Sequence, residues 1–407
     1  MKVCIIGLGY VGFPLAQLCA SKGHEVYGLD LFAEKIEKIH AGINPVEGGK
    51  IEFPIHAATD DKTFISNASV IIICVPTPVD HLKMPDLHPV INAVKLVAAN
   101  MSNKPLVVVE STINPGVMED IVLPLFDGKV GVDFNLAHCP ERINPGDPVW
   151  NVSNIPRVVG GFTPECTSRA YDFYSSIVSG KVTKMSSVRV AEATKIVENT
   201  FRDINIAFVN ELAKSFDKLG IDTVEVIKGA STKPFAFMAH YPSCGVGGHC
   251  IPVDPYYLIE EAKAKGFDHK FLKLAREINN SMPAYTVGLV ISALNHHKRA
   301  LNGTTVGVLG LSYKANVGDI RESPSMEVIK LLNKGGADVV TYDPYIKTSD
   351  CKSLEEFQSR CKFIVLCTNH KEFGQLDFSS VKILIDGKNM FYGHDIPETV
   401  TYRGVGR

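Results

Sequence analysis

Short, continuous apolar runs recur along the first half of the chain, and stretches with helical periodicity lie between several of them. Runs of this kind are typical of strands that are buried on both faces of a parallel sheet. The predicted strands cover residues 2–6, 25–29, 68–75 and 106–109, and a further strand ends at Cys139. This alternation predicts an α/β domain with a doubly wound sheet.

The pattern changes at Arg189, where the alternation of strands and helices stops. Apolar positions at helical spacing predict one long helix over residues 190–219. A second helical pattern covers residues 271–297 and is interrupted by Pro283, and the segment 229–254 between the two is largely irregular. Long helices between two α/β halves commonly form a spine or a dimer interface.

The last third of the chain returns to strands and helices, with strands predicted at 305–309, 337–342, 363–367 and 383–385 and a helix at 325–334. Residues 334–343 repeat the pattern of residues 22–30, in which glycine precedes an apolar strand that ends in aspartate. We therefore predict an α/β fold with two Rossmann-like, doubly wound domains joined by a central α-helical dimerisation region. The predicted domains are 1–188, 189–300 and 301–407.

Composition narrows the class of protein. The 407 residues are 45% hydrophobic and 21% charged, with a net charge of -2, which is typical of a globular protein of two or three domains. The small net charge offers no basic field for nucleic acid or an anionic membrane. Without a leader pattern or a membrane-spanning apolar run, and with ten dispersed cysteines, the chain is expected to be cytoplasmic with reduced thiols and no metal site.

A glycine-rich turn follows the first predicted strand and precedes a helical pattern. Residues 7–12 read GxGxxG, and the next strand ends at Asp30. In this context Gly7 permits the tight turn, Gly9 admits a pyrophosphate to the helix N-terminus, and Gly12 allows close packing of helix and strand. Asp30 is placed to bind the ribose hydroxyls and to repel a 2′-phosphate, which predicts NAD rather than NADP.

Polar residues at strand ends and on the long helix are further candidates. Thr77, Thr112 and Glu141 follow predicted strands, where doubly wound sheets bind their ligands, although the two threonines could equally cap the next helices. Lys195 and Asn199 are four residues apart and share a helix face, from which both can donate to an oxyanion. The alternative is a lysine on a solvated face beside an incidental asparagine.

One loop in the irregular segment carries a thiol behind three glycines. Residues 245–254 read GVGGHCIPVD, and Cys250 is followed by Asp254 and Pro255, the arrangement of an N-cap and a first-turn proline before a helix at 256–265. Glycine lets the backbone run close to a ligand, and a thiol near a helix N-terminus tends towards the nucleophilic thiolate. The alternative is that Cys250 is a buried structural cysteine.

The second Rossmann-like domain lacks GxGxxG in its first turn. The sequence there is Gly310-Leu311-Ser312-Tyr313-Lys314, followed by an insertion with Asp319 and Arg321. Cationic side chains in this position predict a different nucleotide from the one bound by the first domain.

Taken together, these motifs resemble the nucleotide-sugar 6-dehydrogenases related to UDP-glucose and GDP-mannose dehydrogenase. The motifs that carry the resemblance are residues 7–12 with Asp30, Val75-Pro76-Thr77, Glu110-Ser111-Thr112, Pro140-Glu141, Ala191-Glu192 with Lys195 and Asn199, Gly247-Gly248-His249-Cys250 with Asp254, and Gly310 to Lys314 leading to Arg321-Glu322-Ser323-Pro324. The resemblance implies an N-terminal NAD domain, a helical dimerisation spine and a C-terminal UDP-sugar domain in a homodimer.

It also implies a four-electron, NAD-dependent oxidation of the sugar C6 alcohol to a carboxylate. The implied catalytic residues are Cys250, Lys195, Asn199, Asp254, Thr112 and Glu141. The implied cofactor contacts are Gly7, Gly9, Tyr10, Val11, Gly12, Asp30, Lys35, Thr77, Thr112 and Arg321. The implied substrate contacts are Glu141, Arg142, Lys195, Asn199, Tyr241, Gly247, Cys250, Tyr313 and Lys314.

The resemblance assigns each group a role. Cys250 captures an aldehyde as a thiohemiacetal and carries the later thioester, while Lys195 and Asn199 stabilise the oxyanions. Asp254 and Thr112 hold a water molecule and move protons. Lys314 and Arg321 contact substrate or cofactor from the C-terminal domain.

Two departures from the family pattern bear on the reaction. Many relatives have a second glutamate four residues after the position of Glu141, often assigned as the base for thioester hydrolysis, and this chain has Pro145 there. Glu141 or an ordered water must then serve. Relatives that act on UDP-glucose or GDP-mannose commonly have a lysine three residues after the nucleophile, where this chain has Val253.

The second departure favours the branch that oxidises UDP-N-acetylglucosamine or UDP-N-acetylmannosamine. Three alternatives stay open: a UDP-glucose 6-dehydrogenase, a two-electron hydroxyacid-type dehydrogenase, and a non-catalytic NAD- and nucleotide-binding regulator. The thiol loop and the second nucleotide domain speak against the hydroxyacid type. The regulator is disfavoured because Cys250, Lys195, Asn199 and Asp254 are present together.

Overall fold

The computed structural model describes residues 1–79, 85–143, 147, 149–248 and 250–407. Pro145 and His249, both noted in the sequence, lie outside the described residues. The chain forms two compact units: unit 1 comprises Met1–Glu198 with Tyr256–Gly266, and unit 2 comprises Asn199–Pro255 with Phe267–Arg407. The division into three domains at residues 188 and 300 stays a prediction.

Unit 1 is built on an eight-stranded sheet with the order β3-β2-β1-β4-β5-β6-β7-β8. Its strands are β1 (Lys2–Ile6), β2 (Glu25–Leu29), β3 (His56–Ala58), β4 (Val70–Ile73), β5 (Leu106–Val109), β6 (Asn135–His138), β7 (Arg157–Gly161) and β8 (Val182–Lys184). Neighbouring strands are parallel from β3 through to β6 in this order, and β7 runs antiparallel to β6. The order β3-β2-β1-β4-β5-β6 is that of dinucleotide-binding sheets, in which the ligand binds where the order reverses, between β1 and β4.

Apolar side chains cover both faces of this sheet because successive strand residues point to opposite sides. Val3 and Ile5 of β1 belong to one buried cluster, and Cys4 and Ile6 belong to the other. The helices that cover the faces are α1 (Gly12–Ser21), α2 (Ala33–His40), α3 (Lys62–Ser66), α4 (His88–Asn100) and α5 (Pro164–Ile177), with a π-helical turn at Met118–Val122. The doubly wound architecture predicted from the apolar runs is confirmed.

The middle of the chain is helical, as the change of pattern at Arg189 predicts. The helices are α6 (Val188–Leu219), α7 (Thr223–Ala230), α8 (Asp254–Ala264), α9 (Lys270–Asn280) and α10 (Met282–His296). The predicted interruption is confirmed, because α9 ends before Ser281 and Pro283 lies in the first turn of α10, where a missing N–H does no harm. No helix in the described part of the chain is long and apolar enough to cross a membrane.

Unit 2 contains a five-stranded parallel sheet with the order β10-β9-β11-β12-β13. The strands are β9 (Thr305–Leu309), β10 (Asp338–Tyr342), β11 (Phe363–Leu366), β12 (Ile383–Asp386) and β13 (Thr401–Gly404), and the helices α11 (Pro324–Lys334) and α12 (Leu354–Arg360) pack beside them. Four of these strands match the predicted ones, and β13 was not predicted. The second Rossmann-like domain is thereby confirmed.

The sequence pattern shared by residues 22–30 and 334–343 is accompanied by a shared pattern of hydrogen bonds. In unit 1 the N–H of Leu8 donates to Oδ2 of Asp30 at 2.8 Å. In unit 2 the N–H of Leu311 donates to Oδ2 of Asp343 at 2.7 Å. In both cases a carboxylate at the end of the second strand fixes the turn that follows the first strand. The repeated residues therefore serve the same local purpose twice.

Candidate functional site

The glycine-rich turn after β1 has the geometry of a dinucleotide-binding loop. Gly7 has a φ of +95°, and a Cβ there would lie 2.6 Å from the carbonyl oxygen of Cys74. A Cβ at Gly12 would lie 1.9 Å from the carbonyl oxygen of Gly7, so only glycine permits this packing of α1. A Cβ built on Gly9 meets no atom within 4 Å. The open side of Gly9 leaves room for a pyrophosphate at the start of α1.

Asp30 lies at the end of β2 beside this turn and is buried. Its Oδ2 accepts the N–H of Leu8 and lies 2.7 Å from Nζ of Lys35, and its Oδ1 accepts a backbone N–H at 3.0 Å. A carboxylate has about four acceptor positions, so hydrogen bonds from ribose hydroxyls are compatible with these contacts. Tyr10 is exposed and Val11 is half-buried in the same turn. The residues of the turn fit NAD.

Three predicted residues follow neighbouring strands at one edge of the sheet. β4, β5 and β6 are paired in register at their last residues, and Thr77, Thr112 and Glu141 come shortly after them. Neither threonine caps a helix, because the N-cap residue of α4 is Leu87 and that of the π-helical turn is Val117. The capping alternative is therefore wrong for both threonines, and their contact with a ligand stays a prediction.

Glu141 lies in a buried charged cluster at this edge. Nη1 of Arg157 donates to Oε2 of Glu110 at 2.9 Å, and its Nη2 lies 3.7 Å from Oε2 of Glu141. The hydroxyl of Tyr174 donates to the other oxygen of Glu110 at 2.5 Å. Burial raises the pKa of Glu110, and the positive charge of Arg157 opposes the rise. Sequence analysis did not single out Arg157, although a charged residue in an apolar strand was a usable signal.

The long helix α6 buries the two polar residues predicted from its spacing. Lys195 is 8% exposed and Asn199 is 6% exposed, so the alternative of a solvated face is wrong. Arg142 holds the neighbouring turn of α6, because its Nη2 lies 2.6 Å from Oε1 of Glu198 and its Nε donates to Oε2 at 3.1 Å. A substrate contact for Arg142 stays a prediction beside this structural one.

The loop that carries the thiol, residues 243–254, is named the Cys250 loop from here on. The carbonyl oxygen of Cys250 accepts the N–H of Asp254 at 2.8 Å and that of Val253 at 3.0 Å. Cys250 therefore lies one turn before the start of α8, close to the N–H groups of a helix N-terminus. Nδ2 of Asn199 donates to Oδ2 of the buried Asp254 at 2.6 Å. Within unit 2 the structure thus brings Asn199 and Asp254 together beside Cys250.

The glycines of the Cys250 loop allow neighbouring side chains of the protein to pack against its backbone, so they do not serve only the approach of a ligand. A Cβ at Gly245 would lie 2.7 Å from Cβ of Pro324. A Cβ at Gly247 or at Gly248 would lie 2.8 Å from the side chain of Tyr313. Sequence analysis explained these glycines by the approach of a ligand, and close packing of the loop is the reason visible in the structure. A substrate contact for Gly247 stays a prediction.

Three further predicted residues of unit 2 are Arg321, Lys314 and Tyr241. The guanidinium of Arg321 binds Asp319 through Nε at 3.0 Å and through Nη2 at 2.6 Å. The hydrogen bond that Arg321 donates to Asp319 raises the pKa of Arg321, and the nearby Cys250 contributes to a smaller extent. Lys314 is half-buried and Tyr241 is exposed. Arg321 is therefore an electrostatic neighbour of the thiol.

Further polar residues lie on the buried side of α6, and of these only Glu192 was noted in the sequence, as part of the family motif. Glu192, Asp203 and Asn210 are all buried, and both carboxylate oxygens of Glu192 accept backbone N–H groups, at 2.8 and 2.9 Å. Burial raises the pKa of Glu192 to about 7. The signal was present, because these residues continue the helical spacing of Lys195 and Asn199 along one face.

Comparison with known families gives one consistent match along the chain. Models of the UDP-glucose/GDP-mannose dehydrogenase family match in three parts: the NAD binding domain at residues 1–178, the central domain at 189–281 and the UDP binding domain at 307–394.

Individual relatives cover nearly the whole chain. A UDP-N-acetyl-D-mannosamine dehydrogenase of Pyrococcus horikoshii is 36% identical over 100% of this chain and 99% of the relative. A UDP-N-acetyl-D-glucosamine 6-dehydrogenase of Pseudomonas aeruginosa is 34% identical over 96% of each. The solved structure of the UDP-D-ManNAc dehydrogenase from Pyrococcus horikoshii has a TM-score of 0.92 at 35% identity and covers 100% of this chain and 99% of that chain.

Proposed function

The chain belongs to the UDP-glucose/GDP-mannose dehydrogenase family, and on that premise we propose that it oxidises C6 of a UDP-N-acetylhexosamine to the uronate. The observation that carries the proposal is the Cys250 loop, in which a thiol one turn before α8 lies beside the bonded pair Asn199 and Asp254. A two-electron alcohol dehydrogenation needs no such thiol. In the oxidation of an alcohol to an acid, a thiol can hold the aldehyde as a covalent adduct for the second step.

NAD is the cofactor. When bound it would supply the hydride acceptor, and the two oxidation steps would consume two NAD molecules, one for each step. The chain's own part is to hold it. The start of α1 presents backbone N–H groups to the pyrophosphate, and Gly9 leaves the space for it. Asp30 is placed at the end of β2 to bind ribose hydroxyls, and Lys35 fixes the orientation of that carboxylate.

The thiol of Cys250 carries the sugar between the two oxidations. Its sulfur bonds to C6 of the aldehyde, and a proton is delivered to the former carbonyl oxygen, which gives a thiohemiacetal. Loss of a hydride from C6 and of the hydroxyl proton converts this adduct to a thioester. Water then adds at C6 and the C–S bond breaks, which releases the carboxylate and returns the thiol.

The oxyanion that forms at C6 needs hydrogen-bond donors. We assign Lys195 and Asn199 to this role, since both are buried, where such donors act most strongly. Asn199 has two N–H donors and uses one on Asp254, which leaves the second for the substrate. Asp254 and Thr112 are assigned to holding the water and moving its proton. Glu141 is assigned as the base that serves in place of the glutamate absent at Pro145.

The choice of a UDP-N-acetylhexosamine rests on two supports. The named relatives act on UDP-N-acetyl-D-mannosamine and UDP-N-acetyl-D-glucosamine. Val253 is buried and apolar at the position where UDP-glucose and GDP-mannose enzymes commonly have a lysine. The UDP part of the substrate is assigned to the UDP binding domain in unit 2, with Tyr313, Lys314 and Tyr241 as contacts.

We further propose that the enzyme is a homodimer that pairs through α6. Four apolar side chains follow each other along one side of this helix and are between 43% and 56% exposed: Val190, Val197, Phe201 and Phe208. An exposed apolar stripe at helical spacing is typical of a surface that another helix covers. The absolute molar mass in solution, measured by light scattering, tests this proposal, and a monomer at micromolar concentration would contradict it.

We place the enzyme in the cytoplasm because its cysteines are thiols. All ten cysteines are free thiols, and the nine other than Cys250 are buried or half-buried. Disulfide-free cysteine-rich chains are typical of reducing compartments.

The experiment that tests the proposed reaction is a count of NADH formed per sugar consumed. The purified enzyme is given NAD with UDP-N-acetylglucosamine, UDP-N-acetylmannosamine, UDP-glucose or GDP-mannose in turn. Two NADH per sugar establish the double oxidation, and the preferred sugar decides between the proposed substrate and UDP-glucose. The variant Cys250→Ala should form no uronate yet bind NAD normally. Cys351→Ala, which removes a buried thiol elsewhere in unit 2, is the matched control and should stay active.

Each other outcome points to a different alternative. One NADH per sugar would mean that oxidation stops at the aldehyde and that Cys250 lacks its assigned role. No NADH with any of the four sugars, combined with normal NAD binding, would favour the non-catalytic regulator.

A further inference from the structure

The buried polar side of α6 continues beyond Asn199 to Asn210, which is completely buried. Both ends of the Asn210 amide are used. Its Nδ2 donates to Oδ1 of Asn279 in α9 at 2.9 Å, and its Oδ1 accepts the N–H of Ser243 at 2.9 Å. Ser243 is the first residue of the Cys250 loop. Asn210 therefore links that loop to a second helix through a single side chain.

The chain of hydrogen bonds starts at a buried ion pair. Nη1 of Arg276 donates to Oδ1 of Asp203 at 2.5 Å. Nδ2 of Asn279 donates to the same carboxylate oxygen at 2.8 Å and to the carbonyl oxygen of Asp203 at 3.0 Å. Asp203, Arg276 and Asn279 are all buried, so each lost contact would leave a polar group without water to replace it.

The ion pair also dictates which way each amide faces. An ionised carboxylate only accepts hydrogen bonds, so Asn279 must turn its Nδ2 towards Asp203 and is left with Oδ1 to accept. Asn210 must then turn its Nδ2 towards Asn279, which leaves its own Oδ1 for Ser243. The charge at Asp203 thus determines that the last group in the series is an acceptor. A backbone N–H is the partner that this acceptor requires.

The same helix holds the other end of the loop. Asn199 binds Asp254, the last residue of the Cys250 loop, and Asn210 binds Ser243, the first. The two asparagines are three turns apart, which corresponds to about 16 Å along a helix. Cys250 lies between two anchor points on one rigid element.

We propose that Asn210 is a positioning residue for Cys250, oriented through Asn279 by the ion pair between Asp203 and Arg276. This inference rests on the proposed role of Cys250 as the nucleophile. Asn210 does not touch the substrate in this account; it fixes where the Cys250 loop starts and so where the thiol stands relative to α8. A displacement of a reacting group by about 1 Å can reduce a rate about 100-fold.

The test compares Asn210→Ala, which removes both hydrogen bonds, with Asn210→Asp, which keeps the acceptor for Ser243 but removes the donor for Asn279. Asn205→Ala is the matched control, because Asn205 lies on the same helix and its Nδ2 donates to the carbonyl oxygen of Phe201, one turn earlier in that helix. Three quantities are measured on the full chain: kcat with the sugar that supports activity, the Kd for NAD by calorimetry, and the rate at which iodoacetamide alkylates Cys250, followed by mass spectrometry.

We expect Asn210→Ala to lower kcat about 10- to 100-fold and to slow alkylation of Cys250 at pH 7, with the Kd for NAD unchanged. The kcat and the alkylation rate of Asn210→Asp should fall between those of Asn210→Ala and the unmodified enzyme. If Asn210→Ala does not fold, Asn210→Asp alone provides the test. Asn205→Ala should match the unmodified enzyme in all three quantities.

Unchanged kcat and alkylation in the Asn210 variants would overturn the proposal. A parallel loss of NAD binding and alkylation would also overturn it, because it would mean that the whole fold is weakened rather than the position of the thiol. Failure of the proposed reaction is a separate result. If no sugar yields NADH with the unmodified enzyme, the alkylation rates still decide whether Asn210 positions Cys250.

Discussion

A substitution at Gly248 tests whether packing of the Cys250 loop sets the activity. Gly248 has a φ of +92°, and a Cβ there would lie 2.8, 3.0 and 3.2 Å from three ring atoms of Tyr313. Gly266 has nearly the same backbone, with a φ of +90°, yet a Cβ there meets nothing within 4 Å. The pair Gly248→Ala and Gly266→Ala therefore shares the backbone strain and differs in the clash.

The two contributions can be estimated separately. An alanine in the left-handed region costs about 1–2 kcal/mol, and both variants should lose that much stability. Carbon atoms attract each other best at about 3.5–4.0 Å, so the ring of Tyr313 or the loop must move by roughly 0.5–1 Å in Gly248→Ala only. Because Cys250 is two residues further on, this movement should displace the thiol. A displacement of that size is expected to lower kcat about 10- to 100-fold.

The assay is NADH formation at saturating NAD and sugar, with thermal unfolding of both variants recorded alongside. We expect a lower thermal midpoint in both variants, lower in Gly248→Ala than in Gly266→Ala because the clash adds to the backbone strain. We also expect near-normal kcat in Gly266→Ala and a large loss of kcat in Gly248→Ala. Equal activity in the two variants would refute the reasoning, since the clash with Tyr313 would then have no effect on the thiol.

Three further predictions concern single side chains. Lys195→Ala should lower kcat about 100-fold with little change in the Kd for NAD, if the lysine serves the oxyanion; a near-native rate in stopped-flow assays would argue for a structural role. Asp30→Ala should narrow the ratio of kcat/KM for NAD over NADP, and an unchanged ratio would count against its contact with the ribose. Burial of Asp343 is outweighed by hydrogen bonds from His370 and neighbouring groups, which lower its pKa to about 2, below the ordinary value of 3.8. The ionised Asp343 therefore contributes about 2 kcal/mol to the free energy of unfolding above pH 4, and this contribution is lost as the pH falls towards 2. Asp343→Asn should be less stable than the unmodified enzyme at pH 7. Acid unfolding curves should show this difference in stability closing between pH 4 and 2.

The sequence predicts the fold well where the hydrophobic pattern and the residues that end a strand indicate the same element. β1, β2, β5 and β9 occur at the predicted residues, because each is a short apolar run closed by glycine or a polar residue. The strands β3, β7, β8 and β13 were not predicted, and they contain residues such as His56, Arg157 and Lys184 that interrupt the apolar pattern. Tertiary pairing to a neighbouring strand, rather than local pattern, stabilises these four.

The candidate site was predictable where a motif needs a residue type for a local reason. Gly7 and Gly12 are required by close backbone contacts, and Asp30 by the turn that it binds. Long-range partners were not predictable. The sequence pattern does not indicate that Arg157 contacts Glu110, which is 47 residues away in the chain. It also does not indicate that Asn210 binds Ser243, which is 33 residues away. Pairs of this kind depend on the tertiary fold.

The helix α6 buries polar side chains beside apolar ones and leaves an apolar stripe exposed. Its buried side carries Glu192, Asp203 and Asn210 beside the two predicted donors, and its apolar stripe is exposed. Burying unpaired polar groups costs about 1–3 kcal/mol each, and more when they are charged. The cost is offset here because Glu192 accepts two backbone N–H groups, Asp203 binds Arg276 and Asn210 binds two partners. A helix held by directed hydrogen bonds cannot slide or rotate without breaking several of them at once. An apolar face could tolerate such a shift, so the polar side of α6 suits the positioning role that we propose for it.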